Sequence, residues 1–390
     1  MTATRDTIRI ALALSGGGVR ATAFHLGVLG RLADEGLLEK IAFLSSVSGG
    51  SLAGAIVYAL SDNIWPTSAA YQAHVYPGAR HILTRVDLTR ATISEGFRSP
   101  WLIPGDRAKL LARALQHHWG VQGHLKDLLM TPRWIINATT YESGKNWRFT
   151  PQRMGDYKVD YVLSPSISVA EAVAASAGYP FFIGPLVLTT RTYKWSRFAL
   201  ESQGDPQPTS PQRKRLHLWD GGIYDNLGVE ALYKPGRETF RDDYNFLIVS
   251  DASGMFKEQY PFGVYRRAKR LLDIAMEQVR SLRARSIVSH FVDNPNSGAY
   301  LKMGNSAATI LSRAGMITED TIPLPSNVLS DKDVESAAFH RTTLSRLTAL
   351  EFDRIYKHGW EVAHYTLAGH CPTLFSQAIE AGSGLTHSSP

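Results

Sequence analysis

Residues 7–60 read TIRIALALSGGGVRATAFHLGVLGRLADEGLLEKIAFLSSVSGGSLAGAIVYAL, and this stretch decides the fold. From Thr7 to Leu14, Ile8, Ile10, Leu12 and Leu14 share one face while alanines fill much of the other. That is the pattern of a strand covered on both sides, as in a parallel sheet. Ala21, Phe24, Val28 and Leu32 then recur at helical spacing until Gly36, a residue suited to end a helix. Ile41 to Val47 reads as a second strand and Ser51 to Leu60 as a second helix. Later strands are expected at Trp134 to Ala138, Leu216 to Trp219 and Phe246 to Ser250, with a helix at Val169 to Ser176 between them. This rhythm predicts an α/β fold, a three-layer α/β/α arrangement with a mostly parallel central sheet. Ile64 to His124, carrying Trp65, Trp101 and Trp119, shows no strand signal, and beyond Gly254 the chain reads as mainly helical.

One domain is expected over residues 1–370: a motif-bearing part at 7–254, a helical extension at 255–370, then a flexible tail at 371–390. Glu201 to Arg215 (ESQGDPQPTSPQRKR) reads as a surface loop. Of the 390 residues, 44% are hydrophobic and 20% charged, which excludes wholesale disorder and a collagen-like chain. The longest apolar runs, such as Leu52 to Leu60, are too short to cross a bilayer, and the N-terminus does not read as a signal peptide. The lone Cys371 excludes internal disulfides and a cysteine zinc site, and suits a reducing, cytoplasmic setting. A net charge of +7 favours anionic partners: a phospholipid surface, nucleic acid or acidic substrates.

Three loops at strand ends hold the chemistry-bearing residues. Ser15-Gly16-Gly17-Gly18-Val19-Arg20 joins the first strand to the first helix. Its glycines let backbone N–H groups converge at the positive end of a helix, a cradle for a phosphate or for the oxyanion of acyl transfer. Gly16, Gly18 and Ala21 also fit the dinucleotide fingerprint G-x-G-x-x-A. That reading needs an acidic residue closing the second strand, which instead ends Ser45-Ser46-Val47-Ser48. A P-loop fails, because no Gly-Lys-Ser/Thr is present. The second loop is Ser46-Val47-Ser48-Gly49-Gly50-Ser51. A serine on a sharp strand-to-helix turn exposes its hydroxyl at the carboxyl edge of the sheet and demands small neighbours; a helix N-cap is the plainer alternative. The third, Trp219-Asp220-Gly221-Gly222-Ile223-Tyr224-Asp225-Asn226-Leu227-Gly228, puts a carboxylate at that same edge if its strand is parallel. Its plainer reading is an Asp-Gly turn.

Together the loops resemble the patatin-like phospholipase family, leaning toward its cytosolic phospholipase A branch. Ser15 to Ala21 looks like that branch's S-G-G-G-x-R-A, Ser48-Gly49-Gly50-Ser51 like its S-G-G-S or S-G-S, and Asp220-Gly221-Gly222 like the family's D-G-G/A. Ala175-Ser176-Ala177-Gly178-Tyr179-Pro180-Phe181-Phe182 resembles A-S-x-A-x-P-x-x-F. The four matches stand in family order between Ser15 and Gly228; Ser46 departs, glycine being usual there. The resemblance implies a Ser-Asp dyad with Ser48 as nucleophile, Asp220 as general base, and Gly16, Gly17 and Gly18 as oxyanion-hole donors. It places Gly49 and Arg20 beside the substrate, Arg20 either holding a lipid phosphate or supporting the loop. It implies hydrolysis of carboxylic esters of glycerophospholipids or related acyl lipids, with no cofactor. A carboxylate of ordinary pKa, about 4, is a weak base for a hydroxyl, so the oxyanion hole must supply much of the rate, of the order of 10²–10³ per donor.

A Ser-His-Asp triad is the competing mechanism. His290, His340, His358, His364 and His370 follow Asp220 in a permitted chain order, although none sits in a recognisable strand-end loop. His117 and His118 point to different sides of any helix and no H-E-x-x-H occurs, so no catalytic metal is expected. A non-catalytic lipid- or nucleotide-binding module would be marked by loss of the nucleophile or base, and both are present. Nucleic-acid binding lacks any helix-turn-helix, finger or RNA-recognition signature.

Val264 to Val288 reads as a helix with Val264, Ala268, Leu271, Ala275, Val279 and Leu282 at near-helical spacing. Arg266, Arg267, Lys269, Arg270, Arg280, Arg283 and Arg285 surround that stripe, against Asp273 and Glu277. Either the stripe enters the core and the basic face is solvated, or the basic face docks on an anionic membrane, helped by Trp101-Leu102-Ile103-Pro104. The second reading makes the protein peripheral at the membrane.

Overall fold

Six strands position the site: β1 (Ile10–Leu14), β2 (Ile41–Ser46), β3 (Arg133–Thr140), β4 (Arg215–Asp220), β5 (Phe246–Asp251) and β6 (Gly298–Lys302). The computed structural model describes residues 4, 7–103, 105–180, 182–199, 204–254, 262–316 and 325–375. Pro104, Phe181, residues 201–203 of the polar loop and the tail from 376 onward therefore lie outside the described residues. The strands stand in the order β6-β5-β1-β2-β3, each pair parallel. Beyond β3 the sheet continues through antiparallel strands, starting with Lys145–Phe149. Leu14 pairs with Ser250 on one side and Ser46 on the other, and Ser46 pairs with Ile136. One carboxyl edge thus collects the loops that leave β1 and β2.

Both faces of this core are covered. Ile10, Leu12 and Leu14 enter one apolar cluster while Ala11 and Ala13 enter another, the division that the alternation in β1 predicts. The larger cluster takes in α1 (Gly18–Asp34), α2 (Gly49–Ala59) and α3 (Val169–Ser176); the smaller receives Ile287 from α4 (Val264–Asp293). The architecture is α/β, a mixed sheet that is parallel at its centre and flanked by helices. Residues 64–124 supply helices including Tyr76–Arg85, Leu88–Arg98 and Arg107–Trp119, with Trp119 buried and Trp101 exposed. No helix among the described residues is long and apolar enough to cross a membrane.

The C-terminal part is woven into the core. α5 (Ala349–His370) starts at a capping box of Thr348 and Glu351 and crosses α1 at glycines. A Cβ on Gly27 would stand 1.9 Å from the Tyr356 carbonyl oxygen, and one on Gly359 2.0 Å from that of Phe24. Only glycine allows two helix backbones to approach so closely.

The stretch after Gly254 is mainly helical as expected, with β6 inside it extending the sheet beside β5. Three expectations need correction. The first strand starts at Ile10 instead of Thr7, because Arg9 turns its N–H to the Asn245 side chain at 2.8 Å. β4 is antiparallel to β3, pairing Asp220 with Ala138. Lastly, α4 turns Val264, Leu271 and Leu282 to solvent, while Arg280 and Arg283 point inward to ion pairs with Asp251 and Glu230. Its apolar stripe is not in the core.

Candidate active site

The turn after β2 forces Ser48 into φ 49° and ψ −113°, a left-handed conformation that costs a non-glycine residue on the order of 1–3 kcal/mol. Its side chain makes no capping hydrogen bond to α2, so the N-cap reading fails. The turn persists because its neighbours leave it no alternative. A Cβ on Gly50 would fall 2.3 Å from the Leu14 carbonyl, and one on Gly49 2.4 Å from that of Gly18. Beneath the turn runs a buried hydroxyl chain: Trp134 Nε1–H donates to Ser46 Oγ at 2.9 Å, Ser46 meets Ser51 at 2.9 Å, and Ser51 meets Ser176 at 2.9 Å. Ser176 Oγ finally accepts the Ser48 N–H at 3.0 Å. Ser46, where glycine is usual, is a working part of this chain.

Asp220 reaches the same place although β4 runs against β3. It stops opposite Ala138, two residues past the level where Ile136 faces Ser46, and there the chain leaving Ser46 has arrived at Ser48. Gly222 N–H donates to Asp220 Oδ1 at 2.7 Å, whereas Oδ2 is buried without a full hydrogen bond. Burial pushes the carboxyl up from 3.8 to about 7, against the opposing pull of Gly222 N–H and the Ser48 hydroxyl. The serine therefore contacts the carboxylate loosely, and the second oxygen keeps its capacity to take a proton. No described histidine bonds to either residue. His358 accepts Gly304 N–H, His364 accepts from Arg31, and the His340 carbonyl holds Arg20.

The glycine loop passes directly over the serine, with the Cβ position of Gly16 3.2 Å from that of Ser48. Gly16 N–H donates to the Asn226 carbonyl at 3.0 Å, so it is committed. Gly17 and Gly18, at φ 147° and 62°, have N–H groups with no partner among the described residues. His25 supports the loop from below, donating from Nε2 to the Ser15 carbonyl at 2.9 Å and accepting from Ser250 Oγ at 2.8 Å. Burial lowers its pKa to about 4, so it is neutral and keeps this tautomer. Arg20 is buried behind the loop, where it donates to the carbonyls of His340 at 2.8 Å and Ala252 at 3.2 Å. Of its two readings, support of the loop is the one the geometry fits. Val19 N–H is taken by the Thr343 carbonyl at 2.9 Å, which closes the helix end that a dinucleotide phosphate would need.

Ser176, Asn226, His25 and Thr343 all shape the site without having been singled out from sequence. Ser176 and Asn226 lay inside quoted motifs, the fourth stretch and the third loop, while His25 and Thr343 did not stand out. Ser176 joins the loops of Ser48 and Asp220, its hydroxyl holding Ser48 N–H and its carbonyl accepting Gly221 N–H at 3.3 Å. Ser176→Ala should lower kcat roughly 10- to 100-fold with KM little changed, the equivalent of one unmade buried hydrogen bond at the strained turn. Steady-state kinetics on one ester substrate check this, and an unchanged kcat overturns it.

Comparison with known proteins places the chain among related sequences and folds. A profile of patatin-like phospholipases matches residues 12–233. A patatin-like phospholipase domain-containing protein of Chaetomium globosum is 27% identical over 248 residues, covering 63% of this chain and 24% of that protein. One from Aspergillus oryzae is 29% identical over 251 residues, covering 63% and 29%. The chain thus spans less than a third of the length of these fungal relatives. Human GIVD cytosolic phospholipase A2 is similar in fold, with a TM-score of 0.53 at 13% identity over 96% of this chain and 62% of that one. With the motifs in order on this fold and over half of the residues matched by the profile, the chain belongs to the patatin-like phospholipase family.

Proposed function

We propose that this protein is a lipid acyl hydrolase that cleaves carboxylic esters of glycerophospholipids through a Ser48–Asp220 dyad. The observation that carries the reading is the buried Asp220 carboxyl, one oxygen pinned by Gly222 N–H and the other unpaired beside the strained Ser48. In the reaction Ser48 Oγ attacks the ester carbonyl while Asp220 Oδ2 accepts its proton. The tetrahedral oxyanion is received by the free N–H groups of Gly17 and Gly18, and Gly16 fixes the loop through Asn226. The proton passes to the leaving alcohol, and water then repeats the sequence on the acyl-enzyme. A dyad suffices because a carboxyl raised to about 7 is a far better base near neutral pH than an ordinary one. A lipid substrate is supported by the family and by a solved complex of human GIVD cytosolic phospholipase A2 with methyl γ-linolenyl fluorophosphonate, whose fold is similar at a TM-score of 0.50. Such an enzyme works at a lipid surface, in keeping with a cytoplasmic protein peripheral at the membrane.

The test is to incubate the purified chain with mixed membrane lipids and identify the products. Free fatty acid and lysolipid from the active protein, and neither from Ser48→Ala, are expected. Equal release by both proteins, or none by either, defeats the proposal.

A further inference from the structure

We propose that the outward face of α4 is a docking surface for an anionic lipid interface. The inference rests on the lipid-hydrolase reading and names the surface by which that site meets its substrate. α4 is 30 residues long, about 45 Å, yet only Ile287 is buried. Along its outer side stand Val264, Ala268, Leu271, Ala275, Leu282 and Val292, all exposed. Val264 is 86% accessible, Leu271 67%, Leu282 60% and Val292 71%; Phe262, just before the helix, is 85% accessible. A contiguous apolar face of this kind on a folded protein marks an interaction site.

The polar side of the helix faces the protein and fastens it over the catalytic loops. Arg280 pairs with Asp251 at 2.6 Å and Arg283 with Glu230 at 2.8 Å. Asp273 accepts the Tyr179 hydroxyl at 2.5 Å and the Lys269 ammonium at 2.7 Å. Tyr179 lies three residues beyond Ser176, and Met276 Cε is 3.2 Å from the Cβ position of Gly222. A surface that receives α4 is therefore brought to the loops that hold Ser48 and Asp220.

Charge selects the occupant. Along α4 the exposed charges are Arg266, Arg267 and Arg285, with Asp293 at its last residue, while Asp273 and Glu277 are part-buried and paired. Two copies of this face would set one net positive charge against another, three exposed arginines to one exposed acid on each. An apolar face flanked mainly by basic residues instead matches an interface of acyl chains under anionic headgroups.

The experiment uses the full chain carrying Ser48→Ala, so that the vesicles stay intact. Sedimentation is measured with vesicles of phosphatidylcholine alone and of phosphatidylcholine with phosphatidylserine. Binding should be stronger to the mixed vesicles and weaken with added salt. Leu271→Glu with Leu282→Glu should reduce it roughly 10- to 100-fold while leaving the melting temperature unchanged, since both side chains are exposed. Leu350→Glu, equally exposed on another helix, should bind as the parent does. Undiminished binding by the double variant overturns the proposal. So does a dimer that the double variant dissociates when the parent ignores vesicles, because the face then belongs to a second copy. Hydrolysis that survives Ser48→Ala removes the dyad and leaves the docking result standing.

Discussion

Replacing Ser48 with alanine should cut ester hydrolysis by on the order of 10⁴-fold or more, and adding Asp220→Ala to that variant should remove almost nothing further. The reason is that in the proposed mechanism the two residues perform one step. Without the nucleophile there is no proton for Asp220 to take, and without the base the Ser48 hydroxyl keeps its proton. The residual rate belongs to Gly17 and Gly18, whose N–H groups still stabilise an oxyanion formed by water attack. Kinetics on wild type, both single variants and the double variant form the required cycle. Losses that multiply, or an Asp220→Ala enzyme keeping a tenth of its activity, would show that Asp220 is not the base.

Below neutrality the activity should fall about tenfold per pH unit, because the base must be ionised and its carboxyl is pushed to about 7. At pH 5 about one molecule in a hundred then has a competent site. The same burial makes Asp220 a liability to the fold. Its folded value, about 7, lies above its unfolded value of 3.8, so the native state binds the proton more tightly. The stability it contributes is complete below about pH 4 and is lost as pH rises toward 7. Asp220→Asn keeps an oxygen for Gly222 N–H and removes the buried charge. It should raise stability at pH 8 by up to about 4 kcal/mol, with the advantage vanishing near pH 4, while abolishing turnover. Thermal melts of both proteins at the two pH values decide it. A variant no more stable at pH 8, together with a flat rate between pH 5 and 8, sinks the claim.

What could be read in advance follows from which forces leave a local pattern. β1 was legible because burial on both faces writes isoleucine and leucine on one side and alanine on the other. The loops were legible because close approach permits only glycine at Gly49 and Gly50. The direction of β4 was not, since an alternating strand looks the same whether parallel or antiparallel. β6 was hidden by its length, five residues starting at glycine between helical stretches. α4 misled for a physical reason: amphipathic helices usually bury their apolar side, and here ion pairs of Arg280 and Arg283 hold the polar side down instead. Asn226 and Thr343 act through backbone carbonyls, which no side-chain pattern announces.

The carbonyl of Thr343 on Val19 N–H also bears on when the site is completed during synthesis of the chain. A ribosome releases the chain from its N-terminus, and domains form as their parts emerge. The nucleophile, the base and the glycine loop leave the tunnel early. The residue that closes the loop follows more than three hundred positions after Val19, and α5, which must cross α1 at Gly27, comes later still. A nascent chain therefore carries every reactive group in an unfinished cradle. Under the proposed mechanism, that order keeps the hydrolase silent while it is still attached to the translation machinery.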